Sequence, residues 1–262
     1  MDDLVSVVMP VYNNSKYLSE SIESILSQTY SNLELIITDD HSTDPEVLPI
    51  IKSFAGNDRR IRTVFLEVNQ GSGVARNKCI EIANGRYIAF CDCDDRWMPD
   101  KLEKQIAFMR EKNCTLCFSS YYECDEDNNI CGVVIAPEHI TFNELKHDNK
   151  IGCLTAVYDT KPYGKFYMPP IRKRQDWALF LTILQKCGHA YAVNGSLAYY
   201  RRSKNSISSN KLKLVKYNIN VYQQLGYSKF AACMYFFFVF MPAYTRKVIA
   251  NKINYRRYIK EK

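Results

Sequence analysis

Three carboxylates fall within four residues in Asp92-Cys93-Asp94-Asp95, directly behind the apolar run Tyr87 to Phe90 and ahead of Pro99-Asp100, where a helix is expected to open. Side chains alternate along an extended segment, so Asp92 and Asp94 are predicted to share a face. Two hard oxygen donors facing one way, with Asp95 beside them, suit Mg2+ or Mn2+, which commonly bridge one or two carboxylates and a substrate's phosphates. An isolated Asp-x-Asp can equally be a solvated acidic turn, so the rest of the chain decides. Asp176 also stands out, because with Asp159 and Glu261 it is one of only three acids in residues 150–262. Alone among cations, it is predicted to stay ionised, and its plainer role would be to cap the helix that follows.

The elements that must position these groups alternate regularly. Leu4 to Met9 reads as a buried strand broken by Pro10, and from a cap at Ser15 the residues Leu18, Ile22, Ile25 and Leu26 fall on one helical face. Strands are predicted at Leu33 to Ile37, Ile61 to Leu66 and Tyr87 to Phe90, with helices at Val47 to Phe54, Gly73 to Ala83 and Asp100 to Lys112. Such alternation means right-handed βαβ units and a parallel sheet, with ligands held beyond the carboxyl ends of the strands. Tyr12-Asn13-Asn14, Asp39-Asp40 and Asp92 to Asp95 all follow strand ends and should share one crevice. Beyond residue 112 an antiparallel excursion is expected from Thr115 to Ile135. It is followed by Cys153 to Tyr158, a helix Gln175 to Lys186 closed by Gly188, a strand Leu197 to Tyr200 and a polar loop Ser203 to Asn210. Residues 1–210 thus read as one catalytic unit, split at 112/113 into ligand-binding and acceptor-binding parts, with 211–262 as a helical tail.

Charge divides the chain sharply. Residues 1–149 carry 14 Lys/Arg against 25 Asp/Glu, whereas residues 150–262 carry 21 against 3, which points the second half toward something anionic. In 229–262 eight basic residues accompany the apolar run Phe230 to Met241, a pairing that favours a membrane surface over nucleic acid. The sixteen uncharged residues between Lys229 and Arg246 would reach about 24 Å as a helix, short of a bilayer core of roughly 30 Å, and Pro242 is expected to shorten it further. A helix lying in the interface is therefore predicted, with a buried core helix as the alternative. The acidic start Met1-Asp2-Asp3 carries no secretory signal, so the ten cysteines are expected to be reduced thiols in the cytoplasm. Cys114 and Cys117 have a C-x-x-C spacing but should face opposite sides of a strand, which speaks against zinc.

Taken together, Val7-Val8-Met9-Pro10-Val11-Tyr12-Asn13, Ser24 to Tyr30, Glu34 to Asp44, Asn69-Gln70-Gly71 through Asn77, Phe90 to Trp97 and Arg174-Gln175-Asp176-Trp177 resemble the nucleotide-sugar-dependent glycosyltransferases of family 2. The resemblance covers roughly residues 4–209. It implies a GT-A fold, an α/β architecture with a Rossmann-like, mostly parallel sheet flanked by helices, here with a C-terminal helical tail. It assigns Pro10, Val11 and Tyr12 to the nucleotide base and ribose, and Asp39 to the imide N–H of a uracil, a bond thymine could also make and cytosine could not. Asn13, Asp40, Gly71 and Cys93 join this donor-binding set, Arg76 lies near the nucleotide or its phosphates, and Asp92 and Asp94 hold the diphosphate through Mn2+ or Mg2+. Asp176 becomes the general base that takes the acceptor hydroxyl's proton, with inversion at the anomeric carbon.

Two departures from the family pattern stand out. A His frequent after the Tyr-Arg strand is replaced by Arg201, Arg202 or Lys204, and the Gln-x-x-Arg-Trp motif of processive members is absent, which predicts transfer of a single sugar. The expected partners are a UDP-sugar donor, a saccharide or lipid-linked saccharide acceptor and an anionic membrane surface met by 229–262 on the cytoplasmic side, with no nucleic acid. A polyprenyl-phosphate glycosyl synthase and a catalytically inactive, membrane-bound nucleotide-sugar-binding protein remain as alternatives. A nucleotidyltransferase would need basic residues early in the chain, and residues 1–15 contain none.

Overall fold

Apolar runs long enough to be buried on both faces become the central strands. A computed structural model describes residues 3–202 and 211–261. β1 (Val5–Val11) lies between β2 (Leu33–Asp39) and β4 (Tyr87–Phe90), and β2 continues to β3 (Ile61–Phe65), all in parallel. The helices α1 (Ser15–Leu26), α2 (Val47–Asn57) and α3 (Ser72–Ile82) make the crossovers. Alternation along β1 divides the core between the two faces of the sheet. Val5, Val7 and Met9 join Leu18, Ile22 and Ile25 of α1, whereas Val8 joins Cys79 and Ile80 of α3.

The second half extends the same sheet with mixed pairing, in the order β3-β2-β1-β4-β9-β6-β10-β5. Here β5 is Arg96–Trp97, β6 Leu116–Cys124, β9 Val157–Asp159 and β10 His189–Arg201. The side strands β7 (Ile130–Val134) and β8 (His139–Thr141) pair antiparallel with β6 and β10. α4 (Lys101–Lys112), α5 (Phe142–His147), α6 (Gln175–Cys187) and α7 (Lys211–Gln224) cover it. A last helical stretch runs from α8 (Lys229–Tyr235) through a π-helical turn at Phe236–Phe240 into α9 (Met241–Glu261).

Several expectations need correction. Pro10 does not end β1: it pairs in register with Thr38, at a point where β4 has already stopped, since Phe90 is the last partner and faces Val8. A strand edge without a neighbour tolerates a residue with no N–H. Ser15 is the first residue of α1, and Asn14 occupies the cap position. Cys114 precedes β6, so strand alternation does not govern it, and its side chain enters the same apolar cluster as Cys117. Among the described residues no group of three or more His, Cys, Asp or Glu could hold a metal ion, and the cysteines are free thiols. Pro242 does not break the tail helix either. It sits in the first turn of α9, immediately after the π-helical turn, a local widening that can take up a missing donor. The predicted polar loop Ser203 to Asn210 lies outside the described residues.

One core group costs stability. Lys101, in the first turn of α4, is fully buried, and its Nζ lies 3.9 Å from the Trp97 ring centre without a hydrogen-bond partner. Burial pushes this ammonium down to about 7 from 10.5. The folded state therefore binds fewer protons between those values, and stability should rise with pH across that window. Lys101→Met should raise stability at pH 7 by roughly 1–3 kcal/mol and flatten the rise above it. Urea unfolding at pH 7 and pH 10 checks this, and an unchanged midpoint at pH 7 would contradict it.

Candidate active site

The site is built where chain segments leave the carboxyl ends of the parallel strands. At the end of β2, Asp39 accepts a bond from the Ser42 amide at 3.1 Å through Oδ2, while its buried Oδ1 has no partner among the described residues. Ser42 in turn accepts from the Asn13 amide at 2.9 Å, and Asn13 Oδ1 takes the amides of Thr43 and Asp44 at 2.7 and 3.0 Å. These bonds clasp the turn after β1 to the turn after β2 and leave Tyr12 half exposed at the crevice. Asp40, next to Asp39, is engaged by backbone. Its two oxygens accept the Gln70 and Gly71 amides, each at 2.7 Å, so it anchors the loop that leads into α3.

The acidic segment is a tight turn, with the Asp95 amide bonded to the Asp92 carbonyl at 3.1 Å. Strand alternation therefore does not apply to Asp92 and Asp94, and the two carboxylates differ. Asp92 Oδ1 receives Arg76 Nη2 at 2.5 Å. Asp94 has no such partner, and burial together with the neighbouring Asp92 raises its carboxyl to about 6. Asp95 is buried deeper; burial and then Asp94 push it further up, although its Oδ1 accepts the Arg201 amide at 3.0 Å. Burial and like-charge crowding disfavour the charge of Asp94 and Asp95, a penalty that a divalent cation would relieve. No group of three or more His, Cys, Asp or Glu forms a metal site among the described residues, so such a cation would need a substrate's phosphates as well. Asp94 and Asp92 are the residues that would hold it, where it would offset the charge of a diphosphate. Cys93 is buried beneath the turn and accepts from Asn14 Nδ2 at 3.6 Å, so it ties the turn to α1.

Arg76 joins this turn to the acceptor side. Burial works against its charge, but Asp92, Cys153 and Asp176 together hold the guanidinium above its ordinary value. Its buried Nε has no hydrogen-bond partner among the described residues. α3 can approach α6 because residue 73 is glycine: a Cβ there would lie 2.7 Å from Gln175 Nε2. Asp176 is the second residue of α6, not its cap; Arg174 caps, in the left-handed region with φ 66°. Asp176 Oδ2 accepts from Asn149 Nδ2 at 3.3 Å, and Trp177 beside it is wholly buried, its Nε1 donating to the Leu145 carbonyl at 2.8 Å.

The cations proposed in place of the missing His have separate fates. Arg201 is buried, ion-paired to Glu20 at 2.7 Å and donating to the Asp94 carbonyl at 3.0 Å. It therefore braces the acidic turn from behind. Arg202 is exposed and pairs with Glu123, and Lys204 lies outside the described residues. Asn149 escaped sequence reasoning, and Ser42 and Arg174 entered it only as members of motifs, with no role of their own. Asn13, His41 and Arg174 all adopt positive φ, a strained state for residues other than glycine that clusters at working sites, but composition alone does not reveal it.

The family model described as Glycosyl transferase family 2 matches residues 6–204. Glycosyltransferase TuaG of Bacillus subtilis, named for teichuronic acid biosynthesis, is 44% identical over 85% of this chain and 88% of its own. The UDP-Glc:alpha-D-GlcNAc-diphosphoundecaprenol beta-1,3-glucosyltransferase WfgD of Escherichia coli is 41% identical over 82% and 84%. Among solved structures, S. aureus TarS 1–349 in complex with UDP-GlcNAc superposes with a TM-score of 0.69 at 19% identity, covering 84% of this chain and 66% of that one. The mannosyltransferase PcManGT of Pyrobaculum calidifontis, in complex with GDP-Man and Mn2+, gives 0.64 at 16% identity over 87% and 67%. At such identities these likenesses speak for the fold, which is GT-A.

Proposed function

Since the chain belongs to glycosyl transferase family 2 and is a sugar-transferring enzyme, we propose that it moves one sugar from a UDP-sugar to a hydroxyl of a lipid-linked saccharide in surface-polysaccharide assembly, with inversion. The observation that carries this reading is the position of Arg76, ion-paired to Asp92 on one side and feeling the charge of Asp176 on the other. It links the carboxylates suited to a diphosphate's cation with the carboxylate suited to an acceptor hydroxyl.

In this reading the uracil imide N–H donates to the unpartnered Oδ1 of Asp39, while Pro10, Val11 and Tyr12 flank the base and ribose and Gly71 lets the backbone approach. Asp94 and Asp92 hold Mn2+ or Mg2+, which when bound neutralises charge on the departing diphosphate. Arg76 contributes the positive charge that its ion pair with Asp92 keeps beside the acidic turn. Asp176 accepts the proton of the attacking hydroxyl, and a single direct displacement inverts the anomeric carbon. A lipid-linked acceptor agrees with the activity for which WfgD is named and with an anionic membrane surface met by residues 229–262 on the cytoplasmic side.

The test is nucleoside diphosphate release from a panel of UDP-, GDP- and dTDP-sugars, with Mn2+ and with EDTA, supplied with a lipid diphosphate-linked GlcNAc acceptor. Turnover is expected with one UDP-sugar. Asp39→Ala should raise KM for it by about tenfold, the worth of one hydrogen bond of about 1.4 kcal/mol. A GDP-sugar as the preferred donor would refute the assignment of Asp39.

A further inference from the structure

The tail helix from Lys229 to Glu261 has two unlike sides. Its inner seam is docked on the enzyme. Phe236 and Phe240 are buried, the Phe240 ring lies 5.4 Å from that of Trp177, Lys247 donates to the Asn149 carbonyl and pairs with Asp148 at 3.2 Å, and Tyr255 donates to the Ile130 carbonyl at 3.0 Å. A fully buried core helix would close the other side as well. Instead Phe230, Phe237 and Phe238 are 76, 59 and 71% exposed, with Met234 and Met241 beside them, and Ile249, Ile253 and Ile259 continue outward along α9.

This side is also charged in one sense. Lys229, Arg246, Lys252, Arg256, Arg257 and Lys260 are exposed on the same helix, and the only acid in the stretch is Glu261. Three adjoining exposed phenylalanine and methionine turns followed by a basic stretch match a bilayer surface, whose acyl boundary takes the rings and whose anionic headgroups take the cations. No single described helix is long and apolar enough to cross a membrane. The 33 residues span about 50 Å at 1.5 Å each, long enough to lie along one.

Resting on the acceptor reading above, we propose that the outer side of this helix, with Phe230, Met234, Phe237, Phe238 and Met241 inserted and Arg246 to Lys260 along the headgroups, seats the enzyme on an anionic bilayer. The inner seam then fixes where the active site stands. Trp177 follows Asp176 directly in α6, and Asn149, whose carbonyl Lys247 holds, bonds the Asp176 carboxylate. The membrane-seated helix is thereby fastened to both supports of the candidate base, which places an acceptor whose lipid stays in the bilayer within reach of it.

The experiment is flotation of the full chain with phosphatidylcholine vesicles and with vesicles containing phosphatidylglycerol, comparing wild type with Phe237→Ser/Phe238→Ser and with Arg246→Gln/Arg256→Gln/Arg257→Gln. Wild type should float with anionic vesicles and be released by high salt. Each variant should bind at least about tenfold more weakly, with unchanged circular dichroism and unchanged nucleoside diphosphate release to a short-chain soluble acceptor. Equal binding to both vesicle types, unchanged binding of the phenylalanine variant, or a dimer that this variant dissolves, meaning that a second copy covers the face, would each overturn the proposal. Because flotation needs no donor, a failure of the sugar-transfer reading leaves this result standing, and the converse holds too.

Discussion

Asp176→Asn is expected to lower transfer to a hydroxyl acceptor by about 100- to 10,000-fold, the usual contribution of a positioned general base, with KM for the donor nearly unchanged. The substitution is nearly isosteric, and an amide oxygen can still accept the Asn149 bond that Asp176 accepts at 3.3 Å, so the start of α6 should keep its place. What disappears is the capacity to take a proton as the hydroxyl attacks. An acceptor that is already an anion needs no such help. A lipid phosphate acceptor should therefore be spared by the variant, and this separates the glycosyltransferase reading from a polyprenyl-phosphate synthase. Steady-state kinetics on both acceptor types give the answer, and a loss below about threefold on the hydroxyl acceptor would remove Asp176 from the role.

The parallel half of the sheet was readable because strands buried on both faces must be continuous apolar runs, and Tyr87–Phe90 emerged with the predicted bounds. Elements set by pairing were not. β5 is two residues long and has no period of its own, existing only through Trp97 and Arg96 facing Ala198 and Tyr199. β10 was read only at its end, as Leu197 to Tyr200. Gly195, at φ 93°, lies where the register between β10 and β6 shifts, and the strand carries on past it. α5 left a usable signal in Thr141-Phe-Asn-Glu144, a capping box that the structure completes with bonds from both partners.

Site legibility followed the same division. Residue type and charge pattern singled out Asp92, Asp94 and Asp176, whereas the roles of Asp39 and Arg76 were reached only through the family resemblance. Residue type could not tell Asp39 from Asp40, which differ by one position. One keeps an oxygen without a partner and the other gives both to backbone amides, a distinction set by the path of the Asn69–Gly71 loop. The tail was posed as a choice between an interfacial helix and a core helix. Its inner seam has the contacts of a core helix, against Trp177 of α6, Asp148 and Ile130, and its outer side stays exposed and basic.

The acidic turn carries the second large effect. Asp94→Asn should cost turnover by about 100-fold or more, since one neutral oxygen replaces the carboxylate that Arg76 leaves to the cation, yet the metal-free protein should become more stable. The carboxyl of Asp94 is raised to about 6 from 3.8 by burial and by Asp92, so the folded state resists its ionisation. That resistance is absent below pH 3.8, develops as pH rises to about 6, and is fully present at pH 7. Removing the charge should return about 1–3 kcal/mol there and almost nothing at the acid end. Thermal unfolding in EDTA should accordingly give a higher Tm for the variant at pH 7, with the gap closing toward pH 4. Adding Mn2+ with UDP should reverse the order, because ligand binding to the folded state raises Tm only where the site is intact. A variant less stable than wild type in EDTA would mean that Asp94 holds the turn together. A variant still stabilised by Mn2+ and UDP to the wild-type extent would move the cation to another residue.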